Sequence, residues 1–356
     1  MARILIKGGR VWDGERFLFA DVLTDGDCVA KIEQNISDEA DFIYDATGKT
    51  VSAGLVDAHI HMRRRSTNET FGIQAEMSCF PFGVTAAADA GGAQADKAFL
   101  DSFMLKNVLF ISVDIEANCA QLTKIEEKLS PYGDKAIGLK VYLDTTVANV
   151  SDVAPLRAIC EFARKKGLRV MVHCSNSPVE MREILNTLDA GDILTHAFHG
   201  GIHNAAEDNF ESMKEAQKRG VVIDTGFAGC VHADFHVLEQ AIKSGMTPNT
   251  ISTDITKFSA YTRGGRYGMT MCMNIARTLG MGEEDVFRAV TSAPAKALGK
   301  GHTWGYLKVG RNADIAVFAY TNEGFDLTDY AGNHICSEDG YRCVLTIADG
   351  QVVYRD

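Results

Sequence analysis

The sequence predicts an α/β protein: a (β/α)8 TIM barrel with a small β-sandwich domain built from both chain termini. In the middle of the chain, short β-branched runs alternate with amphipathic helical stretches, as they do in parallel βα units. At both ends, short apolar runs are instead separated by turn pairs such as Asp13-Gly14 and Asp349-Gly350. Neither end has enough strands for a stable sheet of its own. We therefore expect residues 53–303 to form the barrel, and residues 1–52 and 304–356 to share the sandwich.

The barrel prediction rests on eight strands spread over about 250 residues, the usual size of this fold. An open doubly wound sheet would need a glycine-rich dinucleotide turn after the first strand, and the sequence has none there. The predicted strands are Leu55–His61, Val84–Asp89, Val108–Ile115, Ile137–Leu143, Arg169–Cys174, Ile193–Phe198, Val221–Thr225 and Thr250–Asp254. The helices predicted between them include Val153–Lys166, Val179–Leu188, Phe210–Arg219 and Asp234–Ser244.

Composition restricts the classes of function. Of the 356 residues, 46% are apolar and 23% are charged, which is typical of a folded enzyme and not of a disordered chain. The net charge of -11 gives no general attraction to nucleic acid or anionic membranes, so the expected partner is a small-molecule substrate. No run has the length of a membrane span or the apolar core of a signal peptide. The nine scattered cysteines, without a C-x-x-C pair, predict reduced thiols in a cytoplasmic protein.

Polar side chains end several of the predicted strands, and catalytic groups of such barrels lie at the carboxyl ends of strands. Strand one ends in His59-Ile60-His61, and the alternation of a strand points both imidazoles to the same face. Other strands contribute further groups of this kind: Lys140, His173, His196 and Asp254. Neutral imidazole and carboxylate suit zinc and similar divalent ions, so the sequence predicts a metal site. Burying the ammonium of Lys140 there is costly, unless its pKa falls or it is converted to an anion.

This constellation resembles the amidohydrolase superfamily, and the likeness runs nearly end to end. Gly54-Leu-Val-Asp-Ala-His-Ile-His61 is similar to the strand-one motif of that family, and Gly310-Arg-Asn-Ala-Asp314 to its entry into the C-terminal β-domain. Three further segments resemble the dihydroorotase-like deacetylase branch: Gly83–Gly92, Gly191–Phe198 and Ile251–Asp254.

The chain also departs from that branch. It has Gly226-Phe227-Ala228 where the branch often has Gly-His-Gly, and residues 255–258 are unusual as well. Both segments would line the pocket, so the resemblance does not carry a substrate over to this chain.

The resemblance implies a binuclear metal site. Carried over residue by residue, His59, His61 and Asp254 would hold the more buried ion. His173 and His196 would hold the more exposed one. Zinc is the expected metal, and manganese and iron suit the same ligands. The resemblance also suggests a homo-oligomer.

Lys140 has a defined part in this scheme. The resemblance implies that CO2 carboxylates its amine to a carbamate, which would bridge the two ions together with a hydroxide. That conversion would remove the cost of a buried ammonium, because a carbamate is an anionic oxygen ligand. The bridging hydroxide would attack the substrate, with Asp254 as general base and then acid.

Substrate contacts are predicted from the residues beside the ligands. Arg63 continues the alternation of the two histidines, and His59-Ile-His-Met-Arg63 resembles the H-x-H-x-R of dihydroorotases, in which the arginine binds a carboxylate. Tyr142, two residues after Lys140, would point the same way and could donate to a substrate oxygen. The sequence assigns no role to a further group of residues: Arg64, Arg65, His199, His203, His232 and Lys257.

Four functions stay open at this point. The first is hydrolysis of an amide or ester bond in a small anionic N-acyl or O-acyl compound. The second is opening of a cyclic amide, as in dihydroorotase or hydantoinase. The third is a non-catalytic barrel acting as an assembly partner, which predicts lost metal ligands. The fourth is a lyase that uses Lys140 as a Schiff base, which would leave the histidines without a role.

Overall fold

The computed structural model describes residues 2–62, 71–91, 97–116, 121, 124–146 and 150–356. In chain order its strands are β1 (Ile4–Trp12), β2 (Phe17–Asp25), β3 (Cys28–Glu33), β4 (Phe42–Asp45), β5 (Thr50–Ala53), β6 (Leu55–Ile60), β7 (Val84–Asp89), β8 (Lys106–Val113), β9 (Ala136–Tyr142), β10 (Arg169–His173), β11 (Ile193–Thr195), β12 (Val222–Ile223), β13 (Ile315–Thr321), β14 (Phe325–Thr328), β15 (His334–Ser337), β16 (Gly340–Ala348) and β17 (Gln351–Arg355). Its α-helices are α1 (Ala75–Cys79), α2 (Lys97–Asp101), α3 (Ile125–Leu129), α4 (Ala154–Lys165), α5 (Met181–Thr187), α6 (Glu211–Arg219), α7 (Phe235–Lys243), α8 (Lys257–Thr262), α9 (Met269–Thr278), α10 (Glu283–Val290) and α11 (Ser292–Ala297). None of the helices in these ranges is long and apolar enough to cross a membrane.

The middle of the chain forms a curled parallel sheet with the order β6-β7-β8-β9-β10-β11-β12. Each strand pairs with the next along the chain, as expected when a helix returns the chain to the start of the sheet. Helix α4 shows why these returns are helical: Leu156, Ile159, Cys160 and Ala163 are buried at the spacing of one helix face. The predicted bounds of the four named helices agree with the structure to within two residues at each end.

The predicted eighth strand is not a regular strand. Residues 250–255 make single parallel bridges to both edges of the curled sheet, from Thr250 to Asp224 and from Ile255 to Ile60. Hydroxyl groups of this segment bond to buried carboxylates: Thr250 and Ser252 donate to Asp224. These side-chain bonds add to backbone bonds of the same segment, such as those from the N–H of Phe227 to the carbonyl of Ser252 and from the N–H of Asp254 to the carbonyl of His59.

Two other strands are shorter than predicted, for a local reason. Strand β11 ends at Thr195 and not at Phe198, because His196 has a φ of 59° and leaves the extended conformation. Strand β12 has only two residues, and Gly226 with a φ of 50° turns the chain soon after it. Both turns lie at the carboxyl edge of the sheet.

Both chain ends contribute to one eight-stranded sheet. Its main path is β17-β16-β13-β5-β1-β2-β3, and β4 pairs with β1. The predicted turn between β16 and β17 is confirmed, because Asp349 and Gly350 have φ values of 45° and 72° in the left-handed region that such hairpins use. The strands share one cluster of buried apolar side chains from both ends, including Ile6, Val51 and Val317. The sandwich arrangement and the domain bounds stay predictions.

A bulge in β6 decides where the first histidines point. The pairing of β6 with β7 shifts register between Asp57 and Ile60. Ile60 packs with the helices around the sheet, whereas Val56 belongs to the cluster on its other face. The bulge therefore turns His59 and His61 toward the face that Val56 occupies lower in the strand.

Gly138 provides a test of the packing inside the curled sheet. A Cβ at this position would lie 2.5 Å from the backbone oxygen of Arg169 and 2.5 Å from the ring of Phe110. Because neither neighbour can move away cheaply, Gly138→Ala should lower the free energy of unfolding by about 1–3 kcal/mol, measured by urea denaturation. The control is Gly282→Ala, whose Cβ would approach only Asp285 Oδ2 at 3.6 Å. Equal losses in both variants would contradict the tight packing.

Candidate active site

The structure brings six of the sequence-predicted residues together at the carboxyl edge of the curled sheet. Asp254 Oδ1 lies 2.9 Å from His61 Nε2 and 3.2 Å from His59 Nε2. Lys140 Nζ is 3.4 Å from His59 Nε2. The imidazole rings of His173 and His196 have their centres 4.3 Å apart, and the rings of His59 and His196 5.2 Å. The constellation expected from strand ends is thus one compact group.

A chain of hydrogen bonds fixes the tautomer of His59. Thr195 donates its only hydroxyl proton to Asp224 Oδ2 over 2.7 Å. His59 Nδ1 lies 2.9 Å from the same hydroxyl oxygen, so this nitrogen carries the proton and donates it. His59 Nε2 is therefore unprotonated, and its lone pair faces Asp254 and Lys140.

His196 and His173 are fixed by the same logic. His196 Nδ1 is 2.7 Å from the carbonyl oxygen of Gly226, which can only accept, so His196 Nε2 is left as a lone pair. Ser175 donates to Asp144 Oδ2, and His173 Nε2 lies 3.0 Å from Ser175 Oγ, so His173 donates there and keeps its lone pair on Nδ1. A metal-ligating histidine is held in this way, by a hydrogen bond from its other nitrogen.

Burial sets the charges of the group. It holds the pKa values of His59 and His196 well below the ordinary value, and that of His173 at about 4, so these imidazoles are neutral at pH 7. Burial also lowers the pKa of Lys140 to about 7, partly offset by the charge of Asp254. For Asp254, burial would raise the pKa, but the imidazoles of His59 and His61 outweigh it and hold the pKa below its ordinary value. The group thus presents the carboxylate of Asp254 and the neutral imidazoles of His59, His173 and His196.

The backbone around the group is strained. His196 and Asp254 have φ values of 59° and 45°, and such conformations cost a side-chain-bearing residue about 1 kcal/mol or more. Gly226 is required beside them, because a Cβ there would lie 2.4 Å from Thr195 Oγ1 and 2.6 Å from His196 Nδ1. Strained backbone of this kind clusters at active sites, which makes this group a candidate site.

The donor set fits a divalent metal ion. Two overlapping groups have ligand atoms within 4.8 Å of one another, His59 with His196 and Asp254, and His173 with His196 and His232. His196 Nε2 and Asp254 Oδ1 are buried, and among the described residues neither has a hydrogen-bond partner. An unpaired buried polar atom costs about 1–3 kcal/mol, and here acceptors face acceptors. A cation between them would satisfy all of these lone pairs at once.

The substrate contacts predicted from sequence have different outcomes. Tyr142 lies at the edge of the group, with its ring centre 5.4 Å from that of His173. Burial raises its pKa to about 12, so it is a neutral phenol. Arg63, Arg64 and Arg65 lie outside the described residues, and their predicted carboxylate-binding position stays a prediction.

The structure shows different surroundings for the loop residues to which the sequence assigned no role. His199 is buried, accepts from the backbone N–H of Gly201, and lies 3.8 Å from Cys174 Sγ, as a structural residue does. His203 lies 3.9 Å from a carboxylate oxygen of Glu207 and is outside both donor groups. Lys257 begins helix α8.

The sequence analysis gave His232 too little weight as a candidate ligand, and it did not identify the structural role of Asp57. His232 joins His173 and His196, although a histidine in a loop is more often a surface residue. Asp57 accepts from the hydroxyl and backbone N–H of Thr253, which ties residues 250–255 to β6. A carboxylate within the otherwise apolar run before His59 was the signal that could have found it.

Comparisons with known proteins agree with this geometry. A sequence profile described as the amidohydrolase family matches residues 50–353. A protein of Enterococcus faecalis named deacetylase is 28% identical over 379 aligned residues, covering 98% of this chain and 98% of its own length. A solved structure described as a dihydroorotase superposes with a TM-score of 0.87 at 23% identity, covering 100% of both chains. One described as an adenine deaminase has a TM-score of 0.86 at 24% identity and covers 99% of both. The resemblance seen in the sequence is confirmed.

Thr195 tests whether the buried hydrogen-bond chain supports metal binding. Thr195→Val keeps the shape of the side chain but removes the acceptor for His59 Nδ1–H. We expect zinc affinity to fall about 10–100-fold, measured by competition with a chromophoric chelator. Thr187→Val is the matched control, because that buried hydroxyl donates to the carbonyl of Glu183 within helix α5, away from the candidate site. Unchanged zinc affinity in the Thr195 variant would show that His59 needs no such support.

Proposed function

The chain belongs to the amidohydrolase family, and we propose that it is a metal-dependent deacylase that cleaves an amide or ester bond of a small anionic substrate. As a member of this family it is a hydrolase that acts on carbon–nitrogen bonds. The observation that carries the proposal is the close group of ligand atoms from His59, His196 and Asp254, of which His196 Nε2 and Asp254 Oδ1 have no hydrogen-bond partner among the described residues. The deacetylase named above, which matches over nearly its whole length, favours removal of an acyl group.

We assign two divalent ions to the site, with zinc as the expected metal. His59, His61 and Asp254 would hold one ion, and His173 and His196 the other. Nitrogen-rich donor sets of this kind suit zinc. When bound, such ions lower the pKa of a coordinated water toward neutrality and polarise a substrate carbonyl.

Lys140 is proposed as the bridge, in the form of a carbamate. Its side chain is fully buried beside His59, and burial brings the pKa of its amine to about 7. A large share of this amine is therefore uncharged at neutral pH, which is the form that can add to CO2. The carbamate would then add an anionic oxygen ligand where an ammonium would repel the ions.

Proton transfer falls to Asp254. Its carboxylate is ionised, and Oδ1 makes no hydrogen bond with the described residues, so it is free to accept a proton. Returning that proton to the leaving nitrogen or oxygen completes the hydrolysis. Tyr142 stays protonated and is placed beside His173, from which position it could donate to the substrate oxygen.

The anionic substrate is inferred from Arg63. In a chain of net charge -11, an arginine two residues after His61 is suited to bind a carboxylate with both arms of its guanidinium. The same residue favours the alternative substrate, a cyclic amide, and the dihydroorotase-like fold agrees with both. A non-catalytic barrel is disfavoured because all six expected ligand positions keep suitable residues.

The finer architecture belongs to this proposal as well. We infer that residues 250–255 close a (β/α)8 barrel by their bridges to β6 and β12. Residues 53–303 would then be the catalytic barrel, with residues 1–52 and 304–356 as the flanking domain. A homo-oligomer and a cytoplasmic location remain predictions from sequence.

Lys140 provides the first test. Purified wild-type protein should contain two divalent ions per chain by elemental analysis, and Lys140→Ala should lose most of that metal and its activity. An added short carboxylate such as acetate should restore part of both in Lys140→Ala, because the shortened side chain leaves room for an anionic bridge. Lys140→Met, which fills the same space without an anion, is the control that acetate should not rescue. Full activity in metal-free protein would contradict the proposal.

Arg63 provides the second test, on substrate class. The assay uses N-acyl amino acids, acyl esters of hydroxy acids, and cyclic ureides as separate panels. Arg63→Met should raise KM for an anionic substrate about tenfold or more with little change in metal content, because a charge-assisted bidentate contact is lost. Arg64→Met should change KM much less, because period-two alternation in the sequence would point this side chain away from the one at position 63. Equal loss of metal and affinity would make Arg63 structural, and turnover of ureides alone would favour the cyclic alternative.

A further inference from the structure

We propose that His232 is a third imidazole ligand of the more exposed metal position, together with His173 and His196. This inference rests on the proposed function and adds a residue to it. The family resemblance supplies only two histidines there, and the segment after strand seven departs from the branch pattern at Gly226-Phe227-Ala228. His232 lies six residues beyond Gly226 in that same loop.

The geometry places His232 among the donors. Its ring centre is 4.4 Å from that of His196 and 5.0 Å from that of His173. One ligand atom from each of the three lies within 4.8 Å of the other two. His196 Nε2, the atom that faces this group, is buried and has no hydrogen-bond partner among the described residues. A buried nitrogen that has no partner and lies beside two further imidazoles is well placed to bind a cation.

The loop that carries His232 is forced into an uncommon shape. Ala228, Gly229 and Cys230 have φ values of 50°, 67° and 76°, all in the left-handed region. Only one of the three is glycine, so this turn is strained by about 1 kcal/mol or more at each of the others. Strain of that kind persists only where surrounding contacts determine the backbone.

Those contacts come largely from the other end of the chain. The hairpin β14–β15 reaches the loop through Asp329, which accepts from the backbone N–H of Phe235, and through Tyr330, whose N–H donates to the carbonyl of Cys230. Asn333 donates to Asp234, the cap of helix α7.

Arg263 joins the same two parts, with bonds to the carbonyl oxygens of Gly229 and Thr328. The C-terminal hairpin therefore acts as a positioning element for His232.

A third imidazole has a chemical consequence. It makes the exposed position richer in nitrogen, which favours zinc, cobalt or nickel over magnesium or manganese. Strand seven ends without a histidine, so the loop beyond it supplies the ligand that the strand lacks.

The test measures metal binding itself. Apo-protein is titrated with cobalt(II), and the two binding steps and the visible spectrum are recorded for wild type, His232→Gln and the control His203→Gln. We expect His232→Gln to weaken the second step at least about tenfold and to change its absorption bands, with the first step nearly unchanged. His203→Gln should match wild type. Asp329→Ala should weaken the second step in the same direction, because it releases the loop.

A second measurement does not depend on any variant. X-ray absorption of wild-type protein loaded with two cobalt ions should report five imidazoles shared by the two ions, and four would overturn the inference.

His232→Gln with unchanged cobalt affinity and a raised KM would also overturn it, by making His232 a substrate contact. Either result would leave the proposed function intact. Wild-type protein that binds no metal would instead remove the proposed function and this inference together.

Discussion

The carboxylate of Asp224 is the group on which the architecture of the site depends. It is fully buried and accepts hydroxyl protons from Thr195, Thr250 and Ser252, so one side chain joins β11, the end of β12 and residues 250–255. Each hydrogen bond to a charged group contributes about 1.5–3 kcal/mol, which offsets the cost of burying the charge. Through Thr195 the same carboxylate fixes the tautomer of His59. The attachment of residues 250–255 to the sheet and the orientation of His59 therefore depend on one hydrogen-bond network.

The candidate site contains buried lone pairs that have no hydrogen-bond donor among the described residues. Neutral imidazoles and an ionised carboxylate are brought within contact distance, and several of their acceptor atoms lack donors in the described part of the chain. Such a surrounding is unfavourable until a cation enters it, and the strained backbone at His196 and Asp254 adds to the cost. The large apolar clusters of the fold offset this cost and hold these side chains in place.

The two chain ends contribute more than a neighbouring sheet. Their strands share one apolar cluster, and the hairpin β14–β15 leaves that region to hold the loop of residues 226–234. Residues nearly a hundred positions apart in sequence, such as Asn333 and Asp234, are hydrogen-bonded there. The shape of the mouth thus depends on long-range contacts that local sequence does not contain.

The sequence by itself determined the parallel βα order and the four central helices, because period-two and helical patterns are local. It also picked out six candidate ligand residues, because imidazole and carboxylate groups at strand ends are chemically distinctive. It could not show that the hydroxyl groups of Thr250 and Ser252 bond to a buried carboxylate beside the irregular backbone bonds of this segment. It also could not weigh His232 against an ordinary surface histidine. Only the tertiary structure decided these points, because they depend on a bulge in β6, on left-handed turns and on a distant hairpin. Each of these is set by contacts between segments far apart in the chain, and a pattern within one segment does not encode them.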